Sequence, residues 1–171
     1  SSAGADIRRV DANIWTGANN GTSWNDAFFG PNGLQSALAV SSSGDQIWCA
    51  EGIYTPTNGT SRAVSLVLKN GVEVYGGFNG TESSLDQRPA FGVAPSVLSG
   101  DLAGNDGTGS ITENSYHVVK GTSTNASAVL DGFTVSGGNA NSGGNNNKGA
   151  GILCISNSSP TIRNCRFVGN R

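Results

Sequence analysis

One short pattern occurs three times between residues 71 and 171, and it constrains the fold more than anything else in the chain. It reads GVEVYGGF at 71–78, GFTVSGGN at 132–139 and NCRFVGNR at 164–171. Each copy opens on Gly71, Gly132 or Asn164, the residue types that most readily accept a left-handed backbone. Positions two and four are apolar throughout: Val72 and Val74, Phe133 and Val135, Cys165 and Phe167. Position six is glycine each time. A bend, two inward side chains at period two and a glycine exit describe a strand built to be stacked. The loops between copies differ in length while the unit is shared, as in a solenoid with insertions. The expectation is that Val72, Phe133 and Cys165, with Val74, Val135 and Phe167, form one buried core column.

Composition suits that reading. Of 171 residues, 36% are hydrophobic and 13% charged, both low for a globular chain, and 26 are glycine. Such a chain favours tight turns over long helices. A net charge of −2, with no basic run longer than Arg8-Arg9, argues against nucleic-acid binding. No apolar run approaches the roughly 18 residues a membrane helix needs. Few lysines and a surface of polar neutral residues point to a secreted or cell-surface protein. Methionine is absent even at position 1, which suggests cleavage from a longer precursor.

Two parts are expected. Residues 1–45 comprise a disordered start at 1–4, an edge strand near Ile7 and a capping helix carrying Leu34, Ala37, Leu38 and Ser41 on one face. Ser23 and Asp26 make a capping-box-like helix start ahead of it. Residues 46–171 supply about three coils, with long loops inserted over 79–114. The first coil uses QIWCAEGIY, SLVLKN and the strand at 72–75. The second uses YHVVKG, SAVLDG and FTVSGG, and the third AGILCIS, SPTIRN and CRFVGN. The fold class expected is all-β: a short right-handed parallel β-helix with a small N-terminal helical cap.

The segments IWCAEGIYTP (47–56), GVEVYGGFNGTE (71–82), VLSGD (97–101), VLDGFTVSGGNA (129–140) and SPTIRNCRFVGN (159–170) resemble those of secreted right-handed parallel β-helix proteins. These form the pectin-lyase-like superfamily, and the likeness includes the repeats of polymorphic outer-membrane proteins. The resemblance implies the coiled fold and leaves activity open, since such proteins range from polysaccharide lyases to inert stalks and adhesins.

The chemistry readable from sequence is sparse. A lyase of this kind would gather carboxylates around Ca²⁺ beside a Lys or Arg base; Asp101 and Asp131 are the best-placed acids and do not make such a set. Asp131, beside Gly132, reads as a turn carboxylate. His117 is the only histidine and reads as structural. GDLAGNDGTG at 100–109 offers Asp101, Asn105 and Asp106 among glycines, a composition suited to Ca²⁺, though no cofactor is demanded. Trp15, Trp24, Trp48 and Tyr75 are candidates for a carbohydrate platform, with packing beneath the inserted loop as the competing role. Cys49, Cys154 and Cys165 read as buried core residues, with a Cys154–Cys165 bridge as the alternative. The five N-x-[ST] sequons, at Asn20, Asn58, Asn79, Asn125 and Asn157, mark surface loops.

The expected function is a non-catalytic extracellular structural or adhesive module: a stalk, an adhesin or a self-assembling filament subunit. Its partners would be itself or further coils through an open C-terminal coil, or glycans and cell-surface proteins. The alternative is a polysaccharide-binding or lyase-like enzyme fragment.

Overall fold

The computed structural model describes residues 5–171. The expected disordered start lies outside them. Thirteen strands and one α-helix are present: β1 (Ile7–Asp11), β2 (Phe28–Phe29), α1 (Gly33–Val40), β3 (Gln46–Ala50), β4 (Gly52–Tyr54), β5 (Leu66–Val67), β6 (Glu73–Phe78), β7 (Ser96–Ser99), β8 (Val119–Thr122), β9 (Val129–Asp131), β10 (Phe133–Ser136), β11 (Ile152–Ile155), β12 (Thr161–Arg163) and β13 (Arg166–Val168). They form three parallel sheets. The largest runs β12-β9-β6-β3-β1-β2, the second β13-β10-β7-β4 and the third β11-β8-β5. From β3 onward the chain visits the three sheets in turn.

This corrects the fold class. The molecule is a parallel-sheet α/β type with three parallel sheets and few helices, 11% helix and 29% strand, and not the single right-handed β-helix of about three coils expected from sequence. The expected column holds for two copies, where Val135 pairs with Phe167, and fails for the first. The copy at 71–78 supplies β6 of the six-stranded sheet, whereas those at 132–139 and 164–171 supply β10 and β13 of the four-stranded sheet. Val74 therefore lies beside Leu130, and Leu130 beside Ile162. Val135 lies between Leu98 and Phe167. The reason is local: a left-handed residue followed by alternating apolar side chains suits any corner of the molecule. Gly71, Gly132 and Asn164 do take φ of 76°, 87° and 50°, but at corners leading into different sheets. Five of the six residues still share one interior. Val72, Val74, Phe133 and Val135 are buried in a single cluster, Cys165 packs against it, and Phe167 is half-exposed.

The N-terminal reading changes too. β1 is not an edge: it lies between β2 and β3, pairing Val10 with both Phe28 and Cys49. Ser23 and Asp26 close a turn, the Ser23 Oγ receiving the Asp26 N–H at 3.1 Å, without starting a helix. Helix α1 forms where the apolar spacing places it, burying Leu34, Ala37 and Leu38 against β1, β2, β3 and β5. Its last turn is closed by the Ser41 hydroxyl, which donates to the Ala37 carbonyl at 2.8 Å. Strand β7 forms where SVLSGD at 96–101 reads as a short strand between the inserted loops, and it is the central bridge between β4 and β10.

Candidate functional site

The aromatic candidates separate. Trp48 is buried and stacks on Phe78, with centroids 4.8 Å apart and planes 10° off parallel. Trp24 lies 5.8 Å from the same ring and donates its indole N–H to the Glu82 carbonyl at 2.8 Å. Tyr75 is buried in this cluster and Leu85 packs against it, so residues 79–95 cover these rings. The Arg9 guanidinium sits 5.9 Å and 5.7 Å from Trp24 and Trp48, a cation–π contact. Trp15, 67% exposed and 6.0 Å from Phe29, is the most open of the four, and Trp24 is partly buried. A sugar platform through Trp24, Trp48 and Tyr75 is closed by their own packing.

Asp131 bonds side chains of other segments, in place of the turn backbone expected from sequence. Its buried carboxylate receives the Arg163 Nε–H at 2.7 Å, an Arg88 Nη2–H at 3.0 Å and the Asn164 amide at 3.1 Å. Burial pushes its pKa up, but the hydrogen bonds of Asn164 and Arg163 and the charge of Arg88 outweigh that and hold it below the usual carboxylate range. Arg88 also donates to the Gly76 carbonyl at 3.3 Å and lies 5.3 Å from the Tyr75 ring. Asp131 is thus the anchor by which the 79–95 loop is tied to the six-stranded sheet.

The loop between β7 and β8 gathers acids that lie apart in sequence. Asp101, Asp106 and Glu113 each bring one carboxylate oxygen within 4.8 Å of the others. Asp101 is held by the backbone N–H groups of Asn105 and Asp106, both at 3.0 Å. Asp106 begins a short 3₁₀ turn, Asp106–Thr108, and accepts the Asn114 amide at 2.9 and 3.2 Å. Glu113 accepts the Ser110 hydroxyl at 3.2 Å. Among the described residues no ion pair reaches any of the three acids. At separations within 4.8 Å, two unit charges repel by at least about 1 kcal/mol in water and roughly 3 kcal/mol at the effective dielectric of a protein surface.

The loop is nevertheless fixed. Asn114 donates to the Gly137 carbonyl at 2.7 Å, the Ser115 N–H bonds the Gly100 carbonyl at 2.8 Å, and Arg62 grips the Asn114 carbonyl at 2.6 Å. Gly137, at φ 72°, lets the chain pass close: a Cβ there would meet Asp101 N at 3.0 Å and Asp106 Oδ2 at 3.3 Å. Of the expected Ca²⁺ ligands, Asp101 and Asp106 come together; Asn105 braces Asp101 through its backbone. Glu113 and Asn114 were missed, since nothing local marks TEN at 112–114 as returning to the start of the loop.

The remaining candidates are structural. His117 is buried, its Nδ1 3.2 Å from the Gly149 carbonyl and its Nε2 3.2 Å from Asn146 Oδ1. All three cysteines are free: Cys49 is buried, Cys154 exposed and Cys165 half-buried. That corrects both the Cys154–Cys165 bridge and the reading of Cys154 as a core residue. Cys154 lies in β11 of the three-stranded sheet, whereas Cys165 precedes β13 of another.

The three sheets end together. Strands β11, β12 and β13 each pair on one side only, with β8, β9 and β10. Ile152, Ile162 and Cys165 pack on the core there without being fully covered, and Phe167 and Val168 are 43% and 41% exposed. Among the described residues no helix is long and apolar enough to cross a membrane.

Compared with known proteins, the chain matches no family model, no curated protein and no solved structure.

Proposed function

We propose that this chain is a non-catalytic, extracellular structural module that associates through the end formed by β11, β12 and β13. The observation that carries this reading is the coincidence of three one-sided strands at a single end with half-exposed apolar side chains among them. A strand edge offers unpaired N–H and C=O groups to another strand, and an apolar rim adds to the gain. At the opposite end, where β2, β4 and β5 also pair on one side only, α1 packs on β1, β2, β3 and β5. Association of two copies through the end formed by β11, β12 and β13 uses the same surface on both and closes as a dimer. Arg163 is paired with Asp131, but Arg166 and Arg171 also lie near this end, so two copies bring these like charges together, and salt strengthens their association by screening them. The low charge and Gly, Asn, Ser and Thr content support a surface setting.

Sedimentation velocity across protein concentration and salt tests the reading. A monomer–dimer equilibrium that tightens with salt is expected, and Val168→Lys, a charge on the exposed edge, should abolish it. A monomer at every concentration and salt level defeats the proposal.

A further inference from the structure

From the loop between β7 and β8 we infer that Asp101, Asp106 and Glu113 hold one Ca²⁺ ion. The carboxylate cluster is one observation; the buried oxygens around it are a second. The side chain of Asn114, 1% exposed, is aimed into the cluster, its Nδ2 touching both oxygens of Asp106. Its own Oδ1 is buried with no hydrogen-bond partner, and so are Asn105 Oδ1 and Glu113 Oε1. Buried polar atoms are almost always satisfied, and an orphaned one needs an explanation. Here two orphaned amide oxygens, Asn105 Oδ1 and Asn114 Oδ1, lie in the loop that carries the three carboxylates, and one oxygen of Glu113 is orphaned as well. Acceptors without donors, in a place of excess negative charge, are what a cation relieves.

The donor chemistry selects the ion. The acids and the neighbouring amides offer oxygen alone, which suits a hard cation and not Zn²⁺ or Cu²⁺. Oxygens bound to one Ca²⁺ at about 2.4 Å lie at most about 4.8 Å apart, and the three carboxylate oxygens already meet that limit. Mg²⁺ demands stricter octahedral geometry and gives up water reluctantly, so a site assembled from a glycine-rich loop favours Ca²⁺. Bound there, the ion would tie the start of the loop at Asp101 to its return at Glu113. It would thereby brace the crossing from the four-stranded to the three-stranded sheet.

The test is calorimetric titration of the chelator-treated full chain with CaCl₂, and separately with MgCl₂. One saturable Ca²⁺ site per chain is expected, with a dissociation constant of about 10⁻⁴–10⁻³ M or tighter, Mg²⁺ weaker, and a melting temperature that rises with Ca²⁺. Asp106→Asn should weaken binding by about tenfold or more, while Asp86→Asn, exposed in another loop, should leave it unchanged. Should Asp106→Asn fail to fold, Glu113→Gln serves in its place, and the wild-type stoichiometry stands independently. Absence of saturable binding to the wild type, equal affinity for Mg²⁺, or binding untouched by both substitutions overturns the inference.

Discussion

Replacing Asp131 by Asn tests how the 79–95 loop is held on the six-stranded sheet. The substitution keeps the shape, removes the charge and turns an amide donor toward the cluster of Asn164, Arg163 and Arg88. Hydrogen bonds to a charged group contribute about 1.5–3 kcal/mol each, and removing one partner of a buried ion pair costs about 3–5 kcal/mol. Those values need discounting, because the Arg163 side chain is 51% exposed and can turn to water, whereas Arg88 is only 19% exposed. A loss of about 2.5 kcal/mol is left, which for a chain of this length lowers the melting temperature by roughly 5–10 °C.

The sign of the pH dependence is a second check. The Asp131 pKa is depressed in the folded state. Its stabilisation is therefore full above the unfolded value of about 3.9 and is lost as pH falls through the folded value. The gap between wild type and Asp131→Asn in denaturant unfolding should be constant near neutrality and shrink below about pH 4. Limited proteolysis should show cuts in residues 79–95 appearing earlier in the variant, since Arg88 loses its anchor. A change under about 0.5 kcal/mol, the range of an ordinary surface substitution, or a gap that widens in acid, would refute the account of Asp131 as the loop's anchor.

Two further outcomes follow from the packing. Gly138→Ala should destabilise the chain by more than about 2 kcal/mol, as overpacking does, because an added Cβ would overlap the Ala150 carbonyl oxygen; normal urea unfolding would count against that close approach. Thiol titration with Ellman's reagent should give one fast cysteine, Cys154, a slower Cys165, and Cys49 only after unfolding. Burial raises the Cys49 thiol pKa well above its ordinary value and Cys165 less so. Three equally fast thiols would contradict the burial of β3.

Much of this molecule was written in its sequence, because local rules act over a few residues. The left-handed bends at Gly71, Gly132 and Asn164 and the apolar alternation after them follow from steric limits that each residue carries with it. So does the face of α1 bearing Leu34, Ala37 and Leu38. Most strands therefore lie where their patterns place them, and Asp101 and Asp106 could be picked out as oxygen donors. What only the tertiary structure decided is which strand neighbours which. The same bend-and-strand unit suits more than one corner, so pattern alone could not tell that 71–78 belongs to a different sheet from 132–139 and 164–171. Nor could it show that β1 is interior, that β7 joins β4 to β10, or that Glu113 returns to Asp101. Register and loop closure depend on contacts between distant residues, whose free energy comes from burying Leu98, Leu130 and Phe133 together and not from any one segment's own preference.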